Sequence, residues 1–267
     1  NQGALCKTVD DPSRFGVFVT DENGRVNQVV EKPRSHISNL ANIGAYKFGP
    51  NVFEILHQTK PSPRGEIEIT SAIETLSKNT SFVAHPINGH WLSIGYPWDL
   101  LDANTALLED LETDIAGEVS PAAHITSNVV IGEGTVIRPG VVIDGPVIIG
   151  NNCTIGPNAW IRAYSSIGDE CKIGQGSEIK ASILMRGTKV PHLSYVGDSV
   201  VGEAANLGCG TITANFRHDG KNHSSLVKDE LVDTGRRKLG AIIGDHVHTG
   251  INCSIYPGRK LWPYTST

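Results

Sequence analysis

The sequence predicts a mainly β fold, a left-handed parallel β-helix of hexapeptide repeats preceded by a smaller α/β unit, and three observations carry that expectation. Isoleucine stands at 125, 131, 137, 143, 149, 155, 161, 167, 173 and 179, ten times at a spacing of six. Glycine follows that ladder at Gly132, Gly150, Gly156, Gly168 and Gly174. The residues ahead of Gly117 have no such period and read instead as short strands and helices.

Taken in chain order, Phe15–Val19 and Val26–Val30 form two strands joined by the Asp21-Glu-Asn-Gly24 turn, a β-hairpin. Ser71 and Glu74 have capping-box spacing, and Ile69, Ala72, Ile73 and Leu76 fit one helical face. A second helix is expected to open near Pro97, whose fixed φ suits a first turn, and to run to Leu111 as a link between units.

From Gly117 onward a period of six matches neither an α-helix nor an alternating hairpin sheet. It matches a parallel β-helix in which each hexad is one flat side. Three sides close a coil, and coils stack at roughly 4.8 Å, the hydrogen-bonding distance between strands. Val119 extends the ladder backwards, and the small residues Cys153, Ala159, Ser165, Cys171 and Ser177 suit a crowded interior corner. After Ile179 the register is expected to slip across Met185–Ser194, resume at Tyr195, Val201 and Leu207, and resume again at Ile243, Thr249, Ile255 and Leu261. The polar, cation-rich stretch Ala214–Leu239 has no ladder and reads as a loop leaving the prism, and long loops in a regular scaffold are usually functional. The division is therefore 1–96, a linker helix at 97–116, and the β-helix at 117–267.

Composition narrows the partners. Lys and Arg number 23 against 28 Asp and Glu, a formal net charge of −5, so nothing draws the whole chain to nucleic acid or to an anionic membrane. No apolar run reaches the roughly eighteen residues of a membrane span, and no charged-then-apolar leader opens the sequence. The five cysteines include no C-x-x-C pair, which points to neither a disulfide framework nor a zinc knuckle and fits the cytoplasm. Asn1–Lys7 read as the middle of a folded domain, and the ladder still runs at Thr267, so the sequence is expected to be part of a longer chain.

Two sets of motifs carry a family resemblance. Val30-Glu-Lys-Pro33, Ala41-Asn-Ile-Gly-Ala-Tyr46, Gly65-Glu-Ile-Glu-Ile-Thr70 and Trp91-Leu-Ser-Ile-Gly-Tyr-Pro-Trp-Asp99 resemble the C-terminal part of a sugar-phosphate nucleotidylyltransferase domain. That resemblance implies sugar-phosphate contacts from Glu31, Lys32, Asn42 and Gly44, and a Mg2+ requirement in the parent enzyme. The family's glycine-rich nucleotide loop belongs to the opening of the domain, and Ser93 stands where many relatives place a magnesium-binding aspartate. These residues alone are expected not to transfer nucleotides. Lys189-Val-Pro-His-Leu-Ser-Tyr-Val-Gly-Asp198 and Asn206-Leu-Gly-Cys-Gly-Thr-Ile-Thr-Ala-Asn215 resemble the acetyltransferase domain of archaeal-type bifunctional enzymes that acetylate glucosamine-1-phosphate before making the UDP sugar.

The second resemblance implies acetyl-CoA as cosubstrate, an amino sugar 1-phosphate as acceptor, and a homotrimer or dimer of trimers. His192 is the candidate base, because an imidazole titrates near working pH and this one falls where the ladder slips. By the family's pattern Asn215 holds the base or the sugar. Arg162, Lys180, Tyr195 and Lys221 contact the sugar phosphate, whose dianion requires cations. The backbone at Cys209, flanked by Gly208 and Gly210, takes the oxyanion position, with the thiol incidental. Two rivals stand beside this reading: a β-helix serving only assembly or regulation, as in ADP-glucose and GDP-mannose pyrophosphorylases, and a zinc site using His192, His246 and His248, as in β-helical carbonic anhydrases.

Overall fold

A computed structural model describes residues 2–63 and 65–267, and the chain divides into two compact units, Asn1–Ser93 and Ile94–Thr267. The first is an α/β unit. Its sheet runs in the order Val26–Glu31, Gly16–Thr20, Leu40–Lys47, Gln2–Thr8, Phe82–Pro86, with only the last pair parallel. The expected hairpin is present, and its turn is closed by Asp21 Oδ1, which accepts the N–H groups of Asn23 and Arg25 at 2.9 Å each. Phe18, Ile73, Leu76 and Phe82 are fully buried and form its core.

The helix expected around Ser71 spans Ile69–Asn79, so Ser71 lies inside it rather than capping it. The apolar face of Ala72, Ile73 and Leu76 decided where the helix sits, and the capping-box spacing was incidental. A short helix, Val52–Gln58, has no sequence signal beyond Val52, Ile55 and Leu56 packing inward.

In the second unit the helix Asp99–Leu108 follows Pro97, and Asp99 Oδ2 accepts the N–H groups of Gly95 and Tyr96 at 2.9 Å each. It ends at Leu108 instead of continuing to Leu111, whose N–H turns back to the Leu108 carbonyl at 3.2 Å. Trp98 and Leu101 bury themselves against Val200 and Leu239.

The remainder is a β-solenoid of three parallel sheets with five, seven and eight strands. Val136–Ile137 pairs with Thr154–Ile155 on one sheet, Val142–Ile143 with Trp160–Ile161 on the next, and Val147–Ile149 with Ser165–Ile167 on the third. Each of these strands thus meets a partner 18 residues along the chain, the spacing also seen where Thr135 Oγ1 accepts the Cys153 N–H. Isoleucines 131 to 179 of the ladder are all at most 1% exposed, and Ile125 and Val119 pack partly buried against them. Each fully buried isoleucine contributes roughly 1.5–3 kcal/mol by leaving water. The five small residues expected inside are buried, and none exceeds 1% exposure.

The ladder does not break where the sequence reading put the slip. It continues inward through Leu184, Val190, Val196 and Val201. What changes is the coil length, which falls to 17 residues, as in the Ser177–Ser194 and Ser182–Ser199 bonds. The residue is lost on the sides between Ile179 and Leu184 and between Val196 and Val201, where the chain turns at Ala181 and Asp198 with φ of 44° and 49°. The inward residue is therefore Val196, and Tyr195 is half-buried on the outer face. Ala214–Leu239 does leave the coil, but it contains an antiparallel hairpin, Ser224–Val227 with Glu230–Asp233, before rejoining at Ile242–Ile243.

Candidate functional site

The two shortened corners stack, because the Asp198 N–H donates to the Lys180 carbonyl at 2.8 Å and the Gly240 N–H donates to the Asp198 carbonyl at 2.8 Å. That stacking turns the Asp198 side chain into a hub. Its Oδ2 accepts from Lys180 Nζ at 2.8 Å and from Asn215 Nδ2 at 2.5 Å, and its side chain is 6% exposed. Asn215 Nδ2 also donates to Tyr195 Oη at 3.0 Å. Tyr195 folds over Gly197, where a side-chain carbon would fall on the tyrosine hydroxyl. Burial, and then the nearby Asp198 carboxylate, push the Tyr195 phenol above the ordinary tyrosine range, so it stays protonated.

Arg162 lies on the same outer face. Its Nη1 donates to Glu178 Oε1 at 2.7 Å, and Glu178 stands opposite Tyr195 in the strand register. The guanidinium sits 4.6 Å from the Trp160 ring centre, and the Trp160 indole N–H is held by Asp144 Oδ2 at 2.6 Å. Stacking on an aromatic face leaves the guanidinium edge available for bidentate hydrogen bonds. The fold thus gathers Arg162, Lys180, Tyr195 and Asn215, four of the expected residues, around two carboxylates that sequence reasoning missed. Asp198 closes the quoted motif yet carried no role, since nothing in a ladder of apolar positions signals a buried acid. Glu178 and Trp160 are outward neighbours of ladder residues and had no signal at all.

His192 ends the strand Lys189–His192 on the adjacent sheet and is exposed, one corner away from Tyr195. His192 does not lie at a break in the ladder, which runs inward on either side of it through Val190 and Val196, and the corner at Leu193, with φ of 45°, follows it directly. Its carbonyl accepts the Gly210 N–H at 3.3 Å, so the Gly208–Gly210 turn sits directly on the His192 corner. The Gly208 N–H is held by Thr249 Oγ1 at 2.9 Å. With both glycine donors engaged, only the Cys209 N–H of that turn is without a hydrogen bond among the described residues. Lys221 is exposed on the loop and is not brought to the cluster; its N–H is bound by Asp219 Oδ1 at 3.2 Å.

In the first unit, Asn42 Nδ2 donates to Tyr46 Oη at 2.7 Å and Asn42 Oδ1 accepts the Gly44 N–H at 3.1 Å. Thr70 Oγ1 donates to Glu31 Oε2 at 3.2 Å. Burial raises the Tyr46 phenol, with the Glu31 carboxylate as a further cause, so Glu31, Asn42 and Tyr46 share one site. Lys32 is exposed at φ 45°, and its N–H donates to the Phe15 carbonyl. Ser93 is exposed and offers a hydroxyl, and no three His, Cys, Asp or Glu side chains gather as a metal site among the described residues. His246 stacks on Tyr264 at 5.0 Å, and His246 and His248 flank the buried Val247 without meeting His192 in one chain. No helix among the described residues is long and apolar enough to cross a membrane.

Residues 4–110 match the nucleotidyl transferase family, and residues 143–261 match the GMPPB C-terminal domain. The chain is 48% identical over 253 residues to the bifunctional protein GlmU of Methanococcus aeolicus, covering 95% of this chain and 61% of that protein. It is 45% identical over 255 residues to the bifunctional protein GlmU of Methanocaldococcus jannaschii, covering 96% and 62%. It is 42% identical over 257 residues to a bifunctional sugar-1-phosphate nucleotidylyltransferase/acetyltransferase of Sulfurisphaera tokodaii, covering 96% and 64%. The chain therefore spans less than two thirds of the length of these relatives.

Proposed function

We propose, from a chain that carries both a nucleotidyl transferase domain and a GMPPB C-terminal domain and has close archaeal homologues among the bifunctional sugar-1-phosphate nucleotidylyltransferase/acetyltransferases, that its solenoid N-acetylates an amino sugar 1-phosphate with acetyl-CoA. The acceptor is glucosamine-1-phosphate or galactosamine-1-phosphate, which differ at one hydroxyl. The observation that carries the reading is the Lys180–Asp198–Asn215–Tyr195 cluster beside the His192 corner. An assembly prism has no need of a buried carboxylate orienting a lysine and an asparagine.

In the proposed reaction Lys180 and Arg162 bind the phosphate of the acceptor, and Tyr195, held protonated, donates a hydrogen bond to it. Asp198 fixes the direction of Lys180 while leaving its other two N–H donors for the ligand. His192 takes a proton from the sugar amine as its nitrogen attacks the thioester carbonyl carbon. The Cys209 N–H stabilises the oxyanion of the tetrahedral intermediate, which collapses by breaking the C–S bond. Coenzyme A leaves as the thiol after taking up the proton, and the sugar keeps the acetamide.

The wider reading has the coils wound left-handed from hexapeptide repeats, with three copies packed side by side in the cytoplasm and the division at 1–96, 97–116 and 117–267. In the whole protein the first unit would hold a sugar 1-phosphate for nucleotidyl transfer through Glu31, Lys32, Asn42 and the Gly44 turn. The match to the GMPPB C-terminal domain favours one second reading, an assembly or regulatory prism. A thiol-release assay with acetyl-CoA across amino sugar phosphates separates the two: acetyl-CoA consumption that depends on a glucosamine or galactosamine 1-phosphate supports acetyl transfer, and none with any of them supports the prism.

A further inference from the structure

On the outer face of the seven-stranded sheet, Asp144, Arg162 and Lys180 form a column, because each follows a ladder isoleucine and Ile143, Ile161 and Ile179 pair in register. Neighbouring strands lie about 4.8 Å apart. Asp144 therefore stands one strand spacing from Arg162 on one side, and Lys180 stands one spacing away on the other. An arginine so placed would ordinarily close on the carboxylate and turn from the ammonium. Here Asp144 Oδ2 instead accepts the Trp160 indole N–H at 2.6 Å, and the carboxylate paired with Arg162 is that of Glu178, at 2.7 Å.

Trp160 and Arg162 flank the buried Ile161, so both side chains leave the prism on the same side. The guanidinium lies over the indole, 4.6 Å from the ring centre, and Trp160 stands opposite Glu178 in the strand register. Three contacts thus bear on one long side chain: an aromatic face against it, a carboxylate at one nitrogen, and an indole N–H that keeps the other acid occupied. A surface ion pair alone holds an arginine loosely, since rotamer freedom opposes any single geometry. Nη1 is the only guanidinium nitrogen of Arg162 with a hydrogen bond among the described residues, so the remaining N–H donors stay available.

We infer that Trp160 is a positioning residue that aims Arg162 at the acceptor's phosphate, by covering one face of the guanidinium and by engaging Asp144. The inference rests on the acetyl-transfer reading, in which Arg162 and Lys180 bind that phosphate. Two cations one strand spacing apart repel each other, and a dianion set between them relieves the repulsion. Asp198 aims the ammonium and Trp160 the guanidinium, so each cation has an orienting group of its own. A tryptophan that is 41% exposed contributes little to the core, and the contact with Arg162 gives it a role that burial does not.

The test titrates each protein with glucosamine-1-phosphate and galactosamine-1-phosphate in a calorimeter, without acetyl-CoA, so that binding is read apart from acetyl transfer. W160A and W160L should both weaken binding of the sugar phosphate about fivefold, the scale of a cation–π contact at a partly exposed site. W160L keeps apolar bulk without an aromatic face, and W160F, which keeps the face, should recover binding to within about twofold of the original. On an R162A background W160A should change affinity by less than about twofold, because the tryptophan acts through the arginine. In the thiol-release assay KM for the sugar phosphate should rise by the same factor, with KM for acetyl-CoA unchanged. Unaltered binding in W160A and W160L would overturn the inference, as would an equal loss on the R162A background or an unsubstituted protein that binds neither sugar phosphate. A protein that binds them through Trp160 and Arg162 yet consumes no acetyl-CoA would overturn the acetyl-transfer reading and leave the positioning role standing.

Discussion

Inside the solenoid Ile137, Ile155 and Ile173 stack one above another at the same depth, while on the outer face, at the corner of Lys180, Asp198 and Gly240, no residue type repeats. The two regions share the same strands. One is specified by a period filled by large aliphatic side chains, and the other by single side chains whose hydrogen-bond partners come from different coils. The difference shows where a repeat can host chemistry. A coil shortened from 18 to 17 residues keeps its apolar interior yet turns a carboxylate at the corner toward a lysine from the coil beneath.

If that contrast holds, the two regions respond differently to truncation. Asp198→Ala strands the Lys180 ammonium and frees the Asn215 amide, and breaking a buried pair costs about 3–5 kcal/mol. Denaturant titration should report that loss, together with a rise in KM for the amino sugar phosphate because Lys180 is no longer aimed. Ile155→Ala should cost about 2–5 kcal/mol through the cavity it leaves, with KM unchanged. Equal effects of the two variants on KM would erase the distinction between interior and corner.

The smallest effect expected is a pH effect. The Tyr195 phenol is raised by burial and by Asp198. Above the ordinary tyrosine value of about 10, the unfolded chain releases a proton that the folded protein keeps. Stability is therefore unaffected below that value and falls as pH rises beyond it, by at most about 1.4 kcal/mol per pH unit, the slope of one proton. The slope should be shallower in Tyr195→Phe when the two proteins are melted side by side between pH 9 and about 11. Identical slopes would place the phenol in an ordinary environment.

Much of the interior was legible in the sequence, because an inward-facing position tolerates few residue types and its spacing survives as a period. Ile131 to Ile179 and the small corner residues were readable for that reason. The register beyond Ile179 was misread because the side chains change to Leu184, Val190, Val196 and Val201 just as two sides lose a residue, and Tyr195 beside Val196 offered a false continuation of the sixes. The candidate site was legible only through motif resemblance, which brought forward Arg162, Lys180, Tyr195 and Asn215. It passed over Asp198, since a buried acid is recognised by the partners that satisfy it and those come from different coils. The hairpin Ser224–Asp233 hid inside a polar stretch because its strands alternate too briefly to stand out.

His192 bears most directly on the claim that this solenoid carries acetyl transfer. The deciding measurement is thiol release from acetyl-CoA in the presence of glucosamine-1-phosphate or galactosamine-1-phosphate, compared between the unsubstituted protein and His192→Ala. His192 is exposed and makes no core contact, so the variant should melt within about 0.5 kcal/mol of the original. The account predicts active unsubstituted protein and a loss of kcat on the order of 100-fold or more in the variant, the scale of a removed general base. Turnover by His192→Ala equal to that of the unsubstituted protein would contradict it.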